Sequence, residues 1–300
     1  MPHKTVNGIE LAYETHGDPA HPPLLLIMGL GAQLTLWPEE FVEALVERGF
    51  YVIRHDNRDI GLSTKFTGAG VPNIRRVAVM RLFGLRPRLP YRLSDMAADA
   101  VGLLDALGVA RAHIVGASMG GMIAQLVAAT YPGRVLSLTS IMSTTGGRRL
   151  PPPRPAALAA LTQRPPATID EDGIVAVGTR IVDAIGSPGY PTDPQRLRAR
   201  ILRDFHRSFH PTGPARQMAA IIDDGDRTAR LAAVTAPTLV IHGSDDPLVR
   251  VEGGRATAKA IRGATMIEYP GMGHDIPLPL VGAMADAIAD HAGAAAQPSG

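Results

Sequence analysis

The chain has 300 residues, 45% hydrophobic and 19% charged, the composition of a globular protein able to bury a substantial core. A formal net charge of +2 gives no electrostatic reason for a nucleic-acid partner. The absence of cysteine excludes disulfides, cysteine-ligated metals and thiol nucleophiles.

In chain order, KTVNGIELAYETHG alternates about Asn7-Gly8, a hairpin turn signal, and lacks the apolar core of a signal sequence. PPLLLIMG reads as a strand covered on both faces, and its apolar run is far too short to span a bilayer. PEEFVEALVERG has Pro38 at a helix start and Gly49 at its end, and FYVIRHD is a second buried strand. LSDMAADAVGLLDALGV reads as a helix capped by Ser94 and stopped at Gly108. The strand RAHIVGA, the helix MGGMIAQLVAATYP and the strand RVLSLTSIMS follow.

The alternation breaks at TTGGRRLPPPRPAALAALTQRPP, where three consecutive prolines can continue neither a helix nor a central strand. Helical patterns then run to about Arg230, after which APTLVIHGSDD, VEGGRATAKAIRG, TMIEYPGMGHD and PLVGAMADAIADHA resume the strand–helix order. The expected fold class is α/β, a mostly parallel central sheet flanked by helices with an inserted helical cap. Residues 1–142 and 231–292 form the expected core, 143–230 the cap, and 293–300 a disordered tail.

Gly116-Ala117-Ser118-Met119-Gly120 fits G-x-S-x-G between a predicted strand and a predicted helix. Such a turn strains the serine and exposes its hydroxyl, and the helix N-terminus beyond favours a developing oxyanion. Read alone, the five residues are equally a tight glycine turn. A serine needs a base, and His274, in the glycine-rich loop after the last predicted strand, is placed to supply one. His3, His16 and His21 read as surface residues, His55 and His113 precede the serine in strands, His206 and His210 fall in the cap, and His291 lies in the last helix. His242 ends a buried strand and reads as packed there. For the acid, Asp246 precedes Pro247 at the end of a buried strand, with Asp245 as a loop or capping residue. Asp223, Asp224 and Asp226 read as a solvated turn.

The ordered segments LLLIMGLG, HDNRDIGLS, LSDMAADAVGLLDALGV, HIVGASMGGMIAQ, APTLVIHGSDDPLV and PGMGHDIP resemble the α/β-hydrolase fold superfamily. The likeness is greatest to the branch of aclacinomycin methylesterase and related bacterial carboxylesterases. That branch carries Asp-x-Arg-Asp-x-Gly-x-Ser after the second core strand, here Asp56, Arg58, Asp59, Gly61 and Ser63. The resemblance implies a fold with an α/β-hydrolase core and a variable cap. It also implies a catalytic triad of Ser118, His274 and Asp246, with the backbone N–H groups of Leu30 and Met119 as oxyanion hole. Met28 stands where many relatives have histidine, which alters the loop's internal hydrogen bonding and leaves the backbone donor in place. The methylesterase-like branch shares this departure.

The expected function is hydrolysis of carboxylic esters of small molecules through an acyl-enzyme, with no metal and no cofactor. The same triad serves cofactor-free haloperoxidases (perhydrolases), carbon–carbon bond hydrolases and thioesterases, and some members of the fold are ligand receptors. Phosphate-loop and His-Glu-x-x-His motifs are absent, GLGAQL only half-matches a dinucleotide fingerprint, and serine at 118 excludes carboxylate-nucleophile chemistry. The expected compartment is the cytoplasm.

One segment stands apart. Residues 66–94 carry six arginines and no acid, and Asn73 and Leu85 bound a stretch, NIRRVAVMRLFGL, of roughly helical apolar spacing. Arg75, Arg76 and Arg81 could meet anionic lipid, as a weak interfacial membrane contact, or a substrate carboxylate. The favoured reading is a surface excursion with an apolar side on the core and solvated arginines.

Overall fold

The computed structural model describes residues 1–161 and 170–296. Strands β1 (His3–Val6) and β2 (Ile9–His16) form the expected hairpin, with Asn7 and Gly8 both at positive φ. Then come β3 (Pro23–Ile27), helix α1 (Glu39–Glu47), β4 (Tyr51–His55), α2 (Ile74–Leu82), α3 (Leu93–Ala106), β5 (Ala112–Ala117), α4 (Met119–Thr130) and β6 (Val135–Ile141). Helices α5 (Pro155–Leu161), α6 (Glu171–Ile185), α7 (Pro194–Arg207), α8 (Gly213–Asp224) and α9 (Thr228–Leu231) precede β7 (Thr238–Gly243). The chain closes with α10 (Val251–Ala260), β8 (Thr265–Tyr269) and α11 (Val281–Ala296).

The strands form one sheet in the order β1-β2-β4-β3-β5-β6-β7-β8, parallel from β4 to β8. In β3 the strand period puts Leu25 and Ile27 into a core with α3 and α4, and Leu24 and Leu26 into a core with α1 and α11. Burial on both faces accounts for its unbroken apolar run. Because β3 to β8 run in one direction, the loops after them gather at one edge, where ligands meet open α/β sheets.

Three expectations need correction. Ser94 lies inside α3; the helix starts after Arg92, whose N–H donates to the Asp95 carboxylate at 2.8 Å. Helix α11 runs to Ala296, so 293–296 are helical, and the rest of the expected tail, 297–300, lies outside the described residues. Asp223 and Asp224 are not a solvated turn. Asp223 is buried and pairs with Arg92 and Arg81, and Asp224 holds Arg227 at 2.6 Å and Arg230 at 2.8 Å. A run of Asp beside Gly and Arg looks solvated in one dimension; here Asp223 is paired with arginines from a distant segment and Asp224 with arginines three and six residues on.

Candidate active site

The site is built at the C-terminal edge of β3, β5, β7 and β8. Ser118 follows β5 directly with φ 56 and ψ −119, a left-handed conformation of the kind that costs about 1–3 kcal/mol. Close packing holds it there. A Cβ at Gly116 would run into the Gly120 carbonyl, and one at Gly120 into the Ile27 carbonyl, so β3, β5 and α4 meet only because both are glycine. The Ser118 N–H donates to Ile141 O at 2.9 Å, and the Ser143 hydroxyl donates to Ser118 O at 2.8 Å. The turn and the exposed hydroxyl are one feature.

The structure brings Ser118, His274 and Asp246 together. His274 Nδ1 lies 2.7 Å from Asp246 Oδ2, and His274 Nε2 lies 2.9 Å from Ser118 Oγ. An ionised carboxylate only accepts, so Nδ1 carries the proton and Nε2 is left to accept from the serine hydroxyl. The other oxygen of Asp246 accepts from the N–H groups of Leu248 at 2.8 Å and Val249 at 2.9 Å. Burial opposes ionisation of Asp246, but His274 and His242 beside it outweigh that cost and hold its carboxyl well below the usual range.

His242 is packed at the end of β7, as expected, and does more. Its Nε2 donates to Val249 O at 2.7 Å and lies 3.5 Å from Asp246 Oδ2, bracing the turn that presents the acid. Asp245 is a loop-stitching residue, accepting from Gly271 N at 2.9 Å. The His274 loop is also tied to the α5–α9 segment. The His274 N–H donates to Ile185 O at 2.7 Å, and Gly273 N–H to Ser187 Oγ at 2.8 Å. Ser187 in turn donates to Asp275, whose carboxyl burial pushes up despite that bond.

Met119 is the first residue of α4, so its N–H has no partner within the helix. Leu30 lies in the loop after β3, where Gly29 packs on Ser118: a Cβ there would sit 3.1 Å from the serine Cβ. The Met28 carbonyl accepts from Asn57 Nδ2 at 2.8 Å, and the Leu34 N–H donates to Asp56 Oδ1 at 2.8 Å. This is where the loop's bonding goes in the absence of a histidine at position 28.

Behind the loop is a buried charge cluster. Asp59 accepts from Arg216 Nε at 2.5 Å, Tyr91 Oη at 2.8 Å and Phe66 N at 2.9 Å, with His210 Nε2 at 3.1 Å. Burial works against its charge, yet these donors together hold the carboxyl below the usual range. Arg58 forms a two-pronged pair with Asp99 at 2.6 and 2.7 Å, and Arg207 reaches Asp56 at 2.8 Å. Sequence reasoning quoted Asp56, Arg58 and Asp59 only through a resemblance, and it missed Asn57, Arg207, Arg216 and Gln217. No local pattern announces their partners, which lie 29 residues away for Asn57 and more than a hundred away for the other three. No group of metal-ligating side chains occurs among the described residues.

The chain matches the family model described as alpha/beta hydrolase fold over residues 22–175, and that described as TAP-like protein over 217–291. It is 31% identical to rhodomycin D methylesterase DnrP of Streptomyces peucetius across 98% of this chain and 99% of that one. The chain belongs to the α/β-hydrolase fold family. Among solved structures it superposes on the enol-lactonase from Burkholderia xenovorans LB400 with a TM-score of 0.70, at 26% identity, covering 97% of this chain and 99% of that one. It also superposes on the meta-cleavage product hydrolase CumD from Pseudomonas fluorescens IP01 with a TM-score of 0.74, covering 98% of each chain. At 18% identity that likeness shows the fold alone.

Proposed function

We propose that the protein hydrolyses carboxylic esters by a serine acyl-enzyme route, with the α5–α9 segment as a cap over the site. The observation that carries this is the continuous chain Ser118 Oγ–His274–Asp246 at 2.9 and 2.7 Å. Ser118 Oγ attacks the ester carbonyl while His274 Nε2 takes its proton, and Asp246 stabilises the imidazolium. The carbonyl oxygen becomes an oxyanion facing the N–H groups of Leu30 and Met119; losing one such donor costs on the order of 3 kcal/mol of barrier. His274 protonates the departing alkoxide as the C–O bond breaks. It then takes a proton from water, which attacks the acyl carbon, and returns that proton to Ser118 Oγ as the acyl C–Oγ bond breaks and the acid is released. The identity to a methylesterase supports an ester with a small alcohol. The test is turnover of methyl and p-nitrophenyl esters across a series of acyl lengths, with wild type and Ser118→Ala. No turnover by the wild type, or equal turnover by both, refutes the proposal. Faster bromination in acetate and peroxide than ester hydrolysis would reassign the site to perhydrolysis.

The proposed compartment is the cytoplasm, at the face of an anionic phospholipid bilayer. Among the described residues no helix is long and apolar enough to cross a membrane, so contact would be at the surface. Val77 of α2 is buried and Arg81 is engaged with Asp223, whereas Val79, Leu82, Phe83 and Leu85 are exposed, Phe83 by 74%. Arg75, Arg76, Arg86 and Arg88 around them are exposed and form no ion pair among the described residues. An apolar tip ringed by free cations complements lipid tails beneath phosphate headgroups. Co-sedimentation should favour phosphatidylglycerol-containing over pure phosphatidylcholine vesicles, and L82S/F83S should abolish binding. Equal binding to both, or none, refutes it; dimers lost in L82S/F83S would give the face to a second copy.

A further inference from the structure

The oxyanion loop is held by a side chain from outside the core. The Gly31 N–H donates to Gln217 Oε1 at 2.8 Å, and Gln217 Nε2 donates to Arg58 O at 3.0 Å. Gln217 lies on α8 and is fully buried. Its orientation is unambiguous, because a backbone N–H can only donate and a carbonyl can only accept. Arg58 is itself anchored to α3 through Asp99. Gln217 therefore joins the loop after β3 to the loop after β4, from a helix between β6 and β7.

The consequence concerns the neighbouring peptide. The Leu30 N–H belongs to the peptide between Gly29 and Leu30. The preceding peptide is fixed by Asn57 through Met28 O at 2.8 Å, and the following one by Gln217 through Gly31 N. The intervening peptide also has its own carbonyl engaged, since Gly29 O accepts from Ala32 N at 3.3 Å. Gly31, at φ 70, permits the turn, and Pro214 of α8 packs where its Cβ would lie. With both flanking planes fixed and Gly29 packed against Ser118, the Gly29–Leu30 peptide that carries the proposed oxyanion donor has little freedom to rotate.

We propose that Gln217 is a positioning residue for the oxyanion hole, so that the docking of α8 sets the strength of transition-state stabilisation. This rests on the serine-hydrolase reading above. Gln217→Leu keeps the volume and removes both bonds; Gln217→Glu keeps the acceptor for Gly31. Per active site titrated with fluorophosphonate, Gln217→Leu should lower kcat about tenfold to a hundredfold with KM changed far less. Gln217→Glu should recover part of the loss. The decisive readout is the rate ratio between an ester and its thionoester. Sulfur accepts hydrogen bonds poorly, so a weakened oxyanion hole must shrink that ratio, whereas a general loss of folded protein leaves it unchanged. The rate of phosphonylation of Ser118, which places the phosphoryl oxygen in the same hole, should fall in parallel. A Gln217→Leu enzyme with wild-type ratio and wild-type labelling rate overturns the proposal. Wild type that labels rapidly yet cleaves no ester refutes the ester reading and leaves the labelling comparison to decide on Gln217. Wild type inert to both refutes both.

Discussion

The two sides of the site are held by different kinds of interaction. On the core side, Ser118 and Asp246 are set by backbone: a positive φ, two glycines in close contact, and two N–H groups donating to one carboxylate. On the α5–α9 side, the loops that carry Leu30, Asp56 and His274 are held largely by distant side chains, among them Gln217, Arg207 and Ser187, with one backbone bond from the His274 N–H to Ile185 O. Backbone devices are rigid and local. Side-chain ties across 150 residues or more hold only as long as the helices above stay docked.

If this contrast is right, core-side substitutions should abolish chemistry with little loss of stability, whereas on the other side Gln217→Leu should weaken chemistry without abolishing it and loss of a buried charge partner should cost stability first. Ser118→Ala should remove turnover by a factor on the order of 10^6, with an unfolding midpoint close to wild type, because it deletes one hydroxyl and leaves the backbone and its packing unchanged. Asp246→Asn should cost about 10^4 in kcat, since the amide donates where the carboxylate accepted and reverses the His274 tautomer. Steady-state kinetics at fixed titrated enzyme checks both; a Ser118→Ala protein that melts well below wild type would break the comparison.

Across the site, Asp59→Asn leaves Arg216 buried without a counter-charge and should destabilise by about 3–5 kcal/mol in denaturant unfolding. Its pH dependence has a definite sign. The Asp59 carboxyl is held below its usual range, so its contribution is complete above the unfolded value of about 4 and is lost as pH falls through the folded value. The gap between wild type and Asp59→Asn should be flat from about pH 7 to 5 and close below about pH 4. A gap that widens on acidification would contradict the ion pair. The smallest effect belongs to L82S/F83S on the exposed end of α2, which should leave soluble-ester kinetics unchanged and shift stability within about 0.5 kcal/mol.

Much of the fold was readable because its signals are local. Asn7-Gly8 can take the positive φ of a hairpin, Pro38 opens α1, and the apolar run of β3 must be covered on both faces. The reading of α3 failed where two starts compete: Ser94 is a good cap by type, yet Asp95 bonds the Arg92 N–H and begins the helix earlier. The burial of Asp223 is hidden for the opposite reason, since Arg92 and Arg81 become its neighbours only on folding, while the pairing of Asp224 with Arg227, three residues on, is local. His242 was read as packed, but not as the second imidazole beside Asp246.

By itself the sequence determined the strand–helix alternation and the candidates Ser118, Asp246 and His274, because period and turn chemistry act over a few residues, and its ordered motifs carried the resemblance to the α/β-hydrolase fold. Tertiary structure alone decided the distances that join those three in one hydrogen-bonded chain, the burial of Asp59 with Arg216, and the reach of Gln217 from α8 to Gly31. The physical reason is range: a hydrogen bond is specified by position within a few tenths of an ångström, and chain positions more than a hundred residues apart acquire that precision only when the helices and the sheet have packed.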